Sequence, residues 1–545
     1  MNSNEIKNGK GVSLVIPTGW LGMLRDFFDR YAVVTIALSL TAISILSFTF
    51  YYQNGLGLAY NDARSHLDIG RRVVEGLKPG IAQLGSVWLP LTHLLMVPTI
   101  WSDFMWHSGL AGALISMISF VYTGVLIYLF LRRLGAGILA RYVGVAVFVA
   151  NINVLYLQST AMTELLLLAT MTSGAYYLLL WYEELTVRRL IQSAFWIMLS
   201  TLIRYDGWFL FVFAAVLIFF QTWRQRGYKT AEGLFFFFCT LGGFGIFLWL
   251  LWNQLIFKDA LYFAFGPYSA YSQQNELQEA GVLPSKGNLP FSLKTYWFAL
   301  AYNTGMFTLT MGIFGALALW IDRRIATPIR IATATLVAPF LFNVIALYLG
   351  HSVLYIQPLS GESLFNVRYG IMMMPSIAIF VGYLIDRLKS LRGVIIGLLV
   401  FATFFQFANG DAVTIDDARV GSSQKNVTEV SQWLSQHAAD EPGFVLISAA
   451  SHDAIIFSSG LPMKKFIHEG TGKYWESATQ YPDRWARWII MRTYSDSDST
   501  YRLIKNSEGF KNFDLVERYP FADIYQLKEE YLSDLNTSPV LGKQK

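Results

Sequence analysis

The chain has 545 residues, of which 54% are hydrophobic, 16% aromatic and only 14% charged, and its mean hydropathy is +0.41. A soluble domain carries about 25% charged residues, so this composition excludes an ordinary soluble protein and indicates a polytopic membrane protein. The net charge of +5 does not indicate a nucleic-acid partner, because the basic residues fall in short clusters at the ends of apolar runs, and the one cysteine, Cys239, has no partner within the chain.

Residues 1–31 hold Lys7, Lys10, Arg25 and Arg30 ahead of the first apolar run, 32–50. That run is too long for the core of a cleaved signal and suits a retained anchor. About eleven apolar segments follow one another: 32–50, 104–131, 140–158, 163–182, 190–203, 207–223, 233–257, 296–320, 330–349, 369–386 and 393–409. Basic pairs at Arg132 and Arg133, Arg188 and Arg189, Arg224 and Arg226, Arg323 and Arg324, and Arg387 with Lys389 and Arg392 fall on one side. The positive-inside rule makes that side the cytoplasm. Loops 51–103, 258–295 and 350–368 then lie outside, in a multi-pass protein of the cell membrane.

The first outer loop breaks the charge rule. Tyr60 to Gly70 places Asp62, Arg64, His66 and Asp68 within seven positions, directly after an uncharged run. Ionisable groups at a bilayer boundary are costly and mark function. Residues 62–78 read as an amphipathic helix along the outer surface, with Asp62 and His66 on one face. Asp68 with Arg72 and Arg71 with Glu75 form i,i+4 pairs, and the arginines would snorkel along the surface. Trp88 reads as an interfacial anchor, Pro90 as a helix start and His93 as structural.

Further acidic and basic groups recur at the same face. Glu164 opens the run 165–182, where Thr163 or Ser159 would cap the helix and its positive end would favour the carboxylate. Arg204-Tyr205-Asp206-Gly207 lies between two apolar segments, with an Arg204–Asp206 pair closing the turn. Asn366-Val367-Arg368-Tyr369-Gly370 opens the tenth run, and arginine offers a planar fork for phosphate. His351 lies in the same outer loop system. Carboxylates and arginines gathered beside lipid fit transfer from a lipid phosphate: a carboxylate takes a proton from an acceptor hydroxyl and cations steady the departing phosphate.

After residue 410 the hydropathy falls. A helix-like stretch at 427–437 precedes strand-like runs at 444–447, 488–491 and 513–516. Residues 411–532 read as a small extracytoplasmic α/β domain, and 533–545 as a disordered tail.

The acidic residue in the first outer loop, the Thr163-Glu164 pair, the Arg204-Tyr205-Asp206-Gly207 turn and the Asn366-Val367-Arg368-Tyr369 start together resemble the C-type glycosyltransferase superfamily. Within it they resemble family 39, the protein O-mannosyltransferase and aminoarabinose-transferase group, over roughly 30–410. The loop from Asp62 to Leu67 and on through Trp88-Leu89-Pro90-Leu91 is similar to that of prokaryotic members, as is the tail around Ile467-His468-Glu469. The resemblance implies a GT-C fold with about 11 transmembrane helices over 32–410, a polyprenyl-phosphate sugar donor and an inverting single displacement. It implies Asp62 as the base and Glu164 as a catalytic-site acid holding the acceptor. It gives Arg368, with Arg204, the donor phosphate, and leaves Arg64, His66, Asp206, Tyr369 and His351 as substrate-binding. Loop 350–368 is too short for the β-trefoil of protein O-mannosyltransferases. The acceptor, outside the cytoplasm, is left open among protein, lipid and polysaccharide.

No cofactor is required by this reading. A metal-dependent oligosaccharyltransferase is the rival, with Asp62, His66 and Glu164 as ligands of a divalent cation; the short outer loops and the lack of a Trp-Trp-Asp sequence weigh against it. A lipid or sugar transporter is a third reading. Transporter folds often carry inverted repeats, and none is visible here.

Overall fold

All eleven apolar runs fold as helix in the computed structural model, which describes residues 31–266, 269–279, 281–420, 424–494 and 496–536. The basic residues expected in the cytoplasmic segment, and positions 537–545 of the expected disordered tail, lie outside the described residues. Seven helices are long and apolar enough to span a membrane alone: Ala32–Gln53, Leu110–Arg133, Glu164–Glu184, Tyr205–Arg226, Thr327–Leu349, Val367–Arg387 and Arg392–Arg419. Two bent pairs raise the number to nine among the described residues. Tyr228–Gly242 meets Phe244–Phe257 at 47°, and Leu289–Thr304 meets Met306–Ile321 at 109°. The two remaining runs form shorter helices, Ile138–Val149 and Val187–Thr201.

Two of the interruptions meet. After Val149 the chain breaks at Asn151, whose side chain accepts from the Val154 N–H and so starts a new short helix, Ile152–Leu157. The sharp bend at Gly305, with φ +78°, ends the helix Leu289–Thr304. Asn151 and Asn153 both donate to the carbonyl of Asn303, at 2.7 and 3.1 Å. A broken helix exposes backbone polar groups that lipid cannot satisfy, so the breaks are tolerable where protein amides answer them.

The loop helix spans Asn61–Val74 and ends sooner than the expected 62–78. It does not lie on the surface. Arg64, His66, Leu67, Asp68, Ile69 and both Arg71 and Arg72 are buried, between the short apolar helix Leu91–Ile100 and the helix Ala449–Ser458 of the C-terminal region. The expected snorkelling of Arg71 and Arg72 is therefore corrected. A buried guanidinium needs acceptors all round its fork, and the fold provides them. Arg71 donates to Glu75, as the spacing predicts, and also to the carbonyls of Ile100 and Trp101 at 2.8 and 2.6 Å, the free end of the neighbouring helix. Arg72 turns from Asp68 to Asp453, with 2.5 and 3.2 Å contacts to the two carboxylate oxygens.

The C-terminal region carries a five-stranded sheet of order β2-β1-β3-β5-β4. The strands are β1 Phe444–Ile447, β2 Phe466–Ile467, β3 Ala486–Met491, β4 Phe513–Arg518 and β5 Asp523–Leu527. The three runs read as strands are β1, β3 and β4. β1 pairs parallel with β2 and β3, whereas β5 is antiparallel to β3 and β4. The interior strands β1 and β3 are buried nearly throughout, which is why they read as continuous apolar runs.

Candidate active site

Arg368 is positioned by close backbone packing. Asn366 adopts the left-handed conformation, φ +55°, and the chain then tightens into a 3-10 turn from Val367 to Met373 before the α-helix proper. Gly370 lies so near the helix Leu289–Thr304 that a Cβ would stand 2.2 Å from the carbonyl oxygen of Ala299. Asn303 donates to the carbonyl of Val367 at 2.7 Å, fixing the residue before the arginine. The glycine in Asn366-Val367-Arg368-Tyr369-Gly370 is thus a packing requirement.

Arg204 is placed by the same device. A Cβ on Gly207 would lie 2.3 Å from the backbone of Ser200, so only glycine lets the helix Tyr205–Arg226 start so tightly after its predecessor. The expected Arg204–Asp206 pair forms, at 3.3 Å, with Asp206 buried. Glu164 opens its helix at the positive end, favourable for a carboxylate. Thr163 makes no side-chain cap there, and the Ser159 hydroxyl donates to Leu155 instead; the expected cap is absent.

These segments meet at one guanidinium. Arg368 Nη2 lies 2.5 Å from Asp62 Oδ2, Nε lies 3.1 Å from Glu164 Oε1, and Nη1 lies 3.9 Å from Asp417 Oδ2. Arg204 Nη1 also reaches Glu164 Oε1, at 3.5 Å. Tyr369 stacks against both arginines, 4.8 Å from Arg204 and 5.4 Å from Arg368, and Tyr60 faces Arg368 at 4.9 Å. The side chains differ in one decisive respect. Asp62 is 41% exposed, whereas Glu164 is 0%, Asp206 2% and Asp417 2% exposed. Of these four carboxylates, only Asp62 is open to an incoming group.

His66 stands beside this cluster. Its Nδ1 lies 2.8 Å from Nε2 of His93, and its ring lies 4.4 Å from that of Trp88. Burial, with the Arg368 and Arg204 charges second, holds its imidazole down to about 3. His66 is therefore neutral near pH 7 and offers a hydrogen bond rather than a charge. Tyr60 shares its hydroxyl between the Thr414 carbonyl, 2.8 Å, and Asp417, 3.0 Å. Burial pushes that phenol far above its ordinary value, so it remains a donor.

The structure brings Asp62, Glu164, Arg204, Asp206, Arg368 and Tyr369 together, with His66 alongside. It does not bring Arg64 or His351. Arg64 turns the other way, donating to the Leu58 carbonyl at 2.9 Å and the Ser458 hydroxyl at 3.0 Å. His351 is exposed in its loop. Asp417 and Tyr60 are members that sequence reasoning did not single out as ligands of the arginine. The signal for Asp417 was present: a carboxylate directly after the last apolar run, the same feature that marks Asp62. Asp62, His66 and Glu164 do not form a cation site, and no three His, Cys, Asp or Glu side chains among the described residues do so. Asp62 and Glu164 both face Arg368, and His66 is engaged with His93.

The helical bundle with its small appended sheet has the GT-C fold of the solved structures it is similar to. No family model matches the chain, and no curated protein matches it in sequence. Among solved structures it is similar to ArnT from Cupriavidus metallidurans bound to undecaprenyl phosphate, with a TM-score of 0.54 and 11% identity, covering 94% of this chain and 99% of that one. The apo state of the same protein gives 0.52 at 10% identity over the same shares. The apo oligosaccharyltransferase of Archaeoglobus fulgidus gives 0.50 at 10% identity, covering 92% of this chain and 75% of that one.

Proposed function

We propose that this chain is a membrane glycosyltransferase that moves a sugar from a polyprenyl-phosphate donor to an extracytoplasmic acceptor, with inversion, and that Asp62 is its base. One observation supports this most: Arg368 binds a half-exposed carboxylate on one edge and a fully buried one on another. Glu164, out of reach of solvent, sets the orientation of Arg368 and Arg204. Asp62 is the exchangeable partner. A donor phosphate arriving at Arg368 would compete with Asp62 for Nη2, since guanidinium binds phosphate and carboxylate through the same fork. Asp62 displaced in this way is free to take the proton of an acceptor hydroxyl, while Arg368 and Arg204 steady the charge left on the phosphate. The hydroxyl oxygen attacks the anomeric carbon, the sugar–phosphate bond breaks, and the proton ends on Asp62.

The fold shared with ArnT, whose structure holds undecaprenyl phosphate, supports a polyprenyl-phosphate donor. The positive-inside pattern supports an extracytoplasmic site in the cell membrane. The test is mass spectrometry of glycans and lipid-linked sugars in cells carrying the chain, lacking it, or carrying Asp62→Asn. Loss of one glycosylated product and accumulation of its lipid-linked sugar, in both altered strains, is the expected result. Product formed normally by Asp62→Asn would overturn the assignment.

A further inference from the structure

The residues flanking Asp62 are held by the C-terminal region rather than by the bundle alone. Two positions before it, Tyr60 bonds to Thr414 and Asp417 near the end of the Arg392–Arg419 helix, where the chain leaves the bundle toward the sheet. Thr414 in turn donates its N–H and hydroxyl to Asn153 Oδ1, at 3.0 and 2.8 Å. Two positions after it, Arg64 bonds to Ser458. Further along the helix, Arg72 makes its two-pronged pair with Asp453. Both side chains of that pair are about one-tenth exposed.

Asp453 and Ser458 lie on the helical segment Ala449–Ser458, which comes immediately after β1 and kinks at His452. Its first N–H, at Ala449, is taken by Glu469 Oε2 at 2.9 Å, which ties the helix to the segment after β2. His452, at the kink, lies 2.7 Å from Asp498 Oδ2, so both halves of the segment are tied to the sheet region. Asp68, on the same helix as Arg72, is fully buried and accepts from Trp106 Nε1 at 3.0 Å. Burial, with the neighbouring Asp453 charge, pushes its carboxyl well up. Breaking a buried pair by removing one partner is strongly unfavourable, so the Arg72–Asp453 contact can fix the helix against the sheet region.

We infer that Asp453 and Ser458 are positioning residues for Asp62: the sheet region clamps the loop helix through Arg72 and Arg64 and so sets the carboxylate against Arg368. This rests on Asp62 being the base. The C-terminal region is then a working part of the site, although none of its strands reaches the reacting atoms.

The experiment uses the full chain in lipid nanodiscs and in cells, with Asp453→Asn, Asp453→Glu, Ser458→Ala and Asp62→Asn. Asp453→Asn is expected to speed amide exchange across Asn61–Val74 by about tenfold, an opening made easier by local rather than global loosening. It is expected to lower the chain-dependent glycan by about tenfold or more, while the affinity for undecaprenyl phosphate, held by Arg368 and Arg204, stays within about twofold. Asp453→Glu is expected to recover part of the product, and Ser458→Ala to show a smaller loss in the same direction. Unchanged exchange over Asn61–Val74 in Asp453→Asn, or faster exchange across Glu164–Glu184 together with lost undecaprenyl phosphate binding, overturns the inference. Full product from Asp62→Asn overturns the base assignment instead. An inactive Asp62→Asn beside a fully active Asp453→Asn overturns the clamp alone.

Discussion

Arg368 presents its outer nitrogen, Nη2, to Asp62 Oδ2 at 2.5 Å, and the two residues lie 306 positions apart in the chain. The contact joins the first loop helix to the start of the Val367–Arg387 span. In the proposed mechanism this pair is the resting arrangement, and a donor phosphate binding at Arg368 would open it.

Replacing the base is the most direct prediction. Asp62→Asn keeps the size of the side chain and most of the contact with Arg368, so the protein is expected to fold and to bind undecaprenyl phosphate. A general base contributes roughly 10²–10⁴-fold, and turnover of a polyprenyl-phosphate sugar is expected to fall within that range or further. Steady-state turnover and undecaprenyl phosphate titration, run on the same preparation, separate the two effects. Loss of binding equal to the loss of turnover would contradict the role given to Asp62.

Arg368 is expected to tolerate neither truncation nor exchange for lysine. Arg368→Ala leaves the carboxylate of Glu164 buried with Arg204 alone, a loss of the kind that costs about 3–5 kcal/mol. Thermal unfolding is expected to shift downward accordingly. Arg368→Lys keeps the charge but gives up the fork that reaches Asp62, Glu164 and Asp417 from three nitrogens. It is expected to fold better than the alanine variant while still binding undecaprenyl phosphate about tenfold more weakly or worse. Wild-type affinity in Arg368→Lys would remove the arginine from the phosphate site.

The sequence made some of this legible and concealed the rest for identifiable reasons. Asp62, Glu164, Arg204 and Arg368 stand out because ionisable groups beside apolar runs are rare, and the topology puts them on one face. The shared partner of Asp62 and Glu164 is not legible, because residue type and membrane side do not say which way a side chain turns. Arg64 shows the same limit: two residues, about half a helical turn, separate a group facing Arg368 from one facing Ser458. The surface reading of Asn61–Val74 failed because its second covering layer comes from Ala449–Ser458, nearly four hundred positions later. The strand β2 has only two residues, too few for any periodicity to mark it.

Acid sensitivity gives a test of His66. Its imidazole ordinarily titrates near 6.5, and in the folded protein it is held down to about 3, chiefly by burial. Between those values the unfolded chain binds a proton that the folded chain does not. Folding stability from this group is therefore intact above about pH 6.5 and declines as the pH falls toward 3, by at most about 1.4 kcal/mol per unit. His66→Asn is expected to flatten the dependence of the unfolding temperature on pH between 6.5 and 4.5. An unaltered slope would mean that His66 is accessible to protons in the folded state.

Glu164 separates two accounts of the site. The family resemblance gives it the acceptor, whereas its 0% exposure and its contacts with Arg368 and Arg204 give it the arginines. Glu164→Gln keeps the shape and removes the charge, leaving both guanidiniums with one fewer anion nearby. If Glu164 orients the arginines, undecaprenyl phosphate binding changes, and the dependence of turnover on acceptor concentration keeps its midpoint. If it holds the acceptor, the midpoint for acceptor rises, and undecaprenyl phosphate binding is unchanged. The first outcome is expected, because the side chain has no solvent exposure and both guanidiniums hold its Oε1, while Oε2, which has no hydrogen-bond partner, is buried as well. Titrating acceptor and undecaprenyl phosphate separately on Glu164→Gln decides between them.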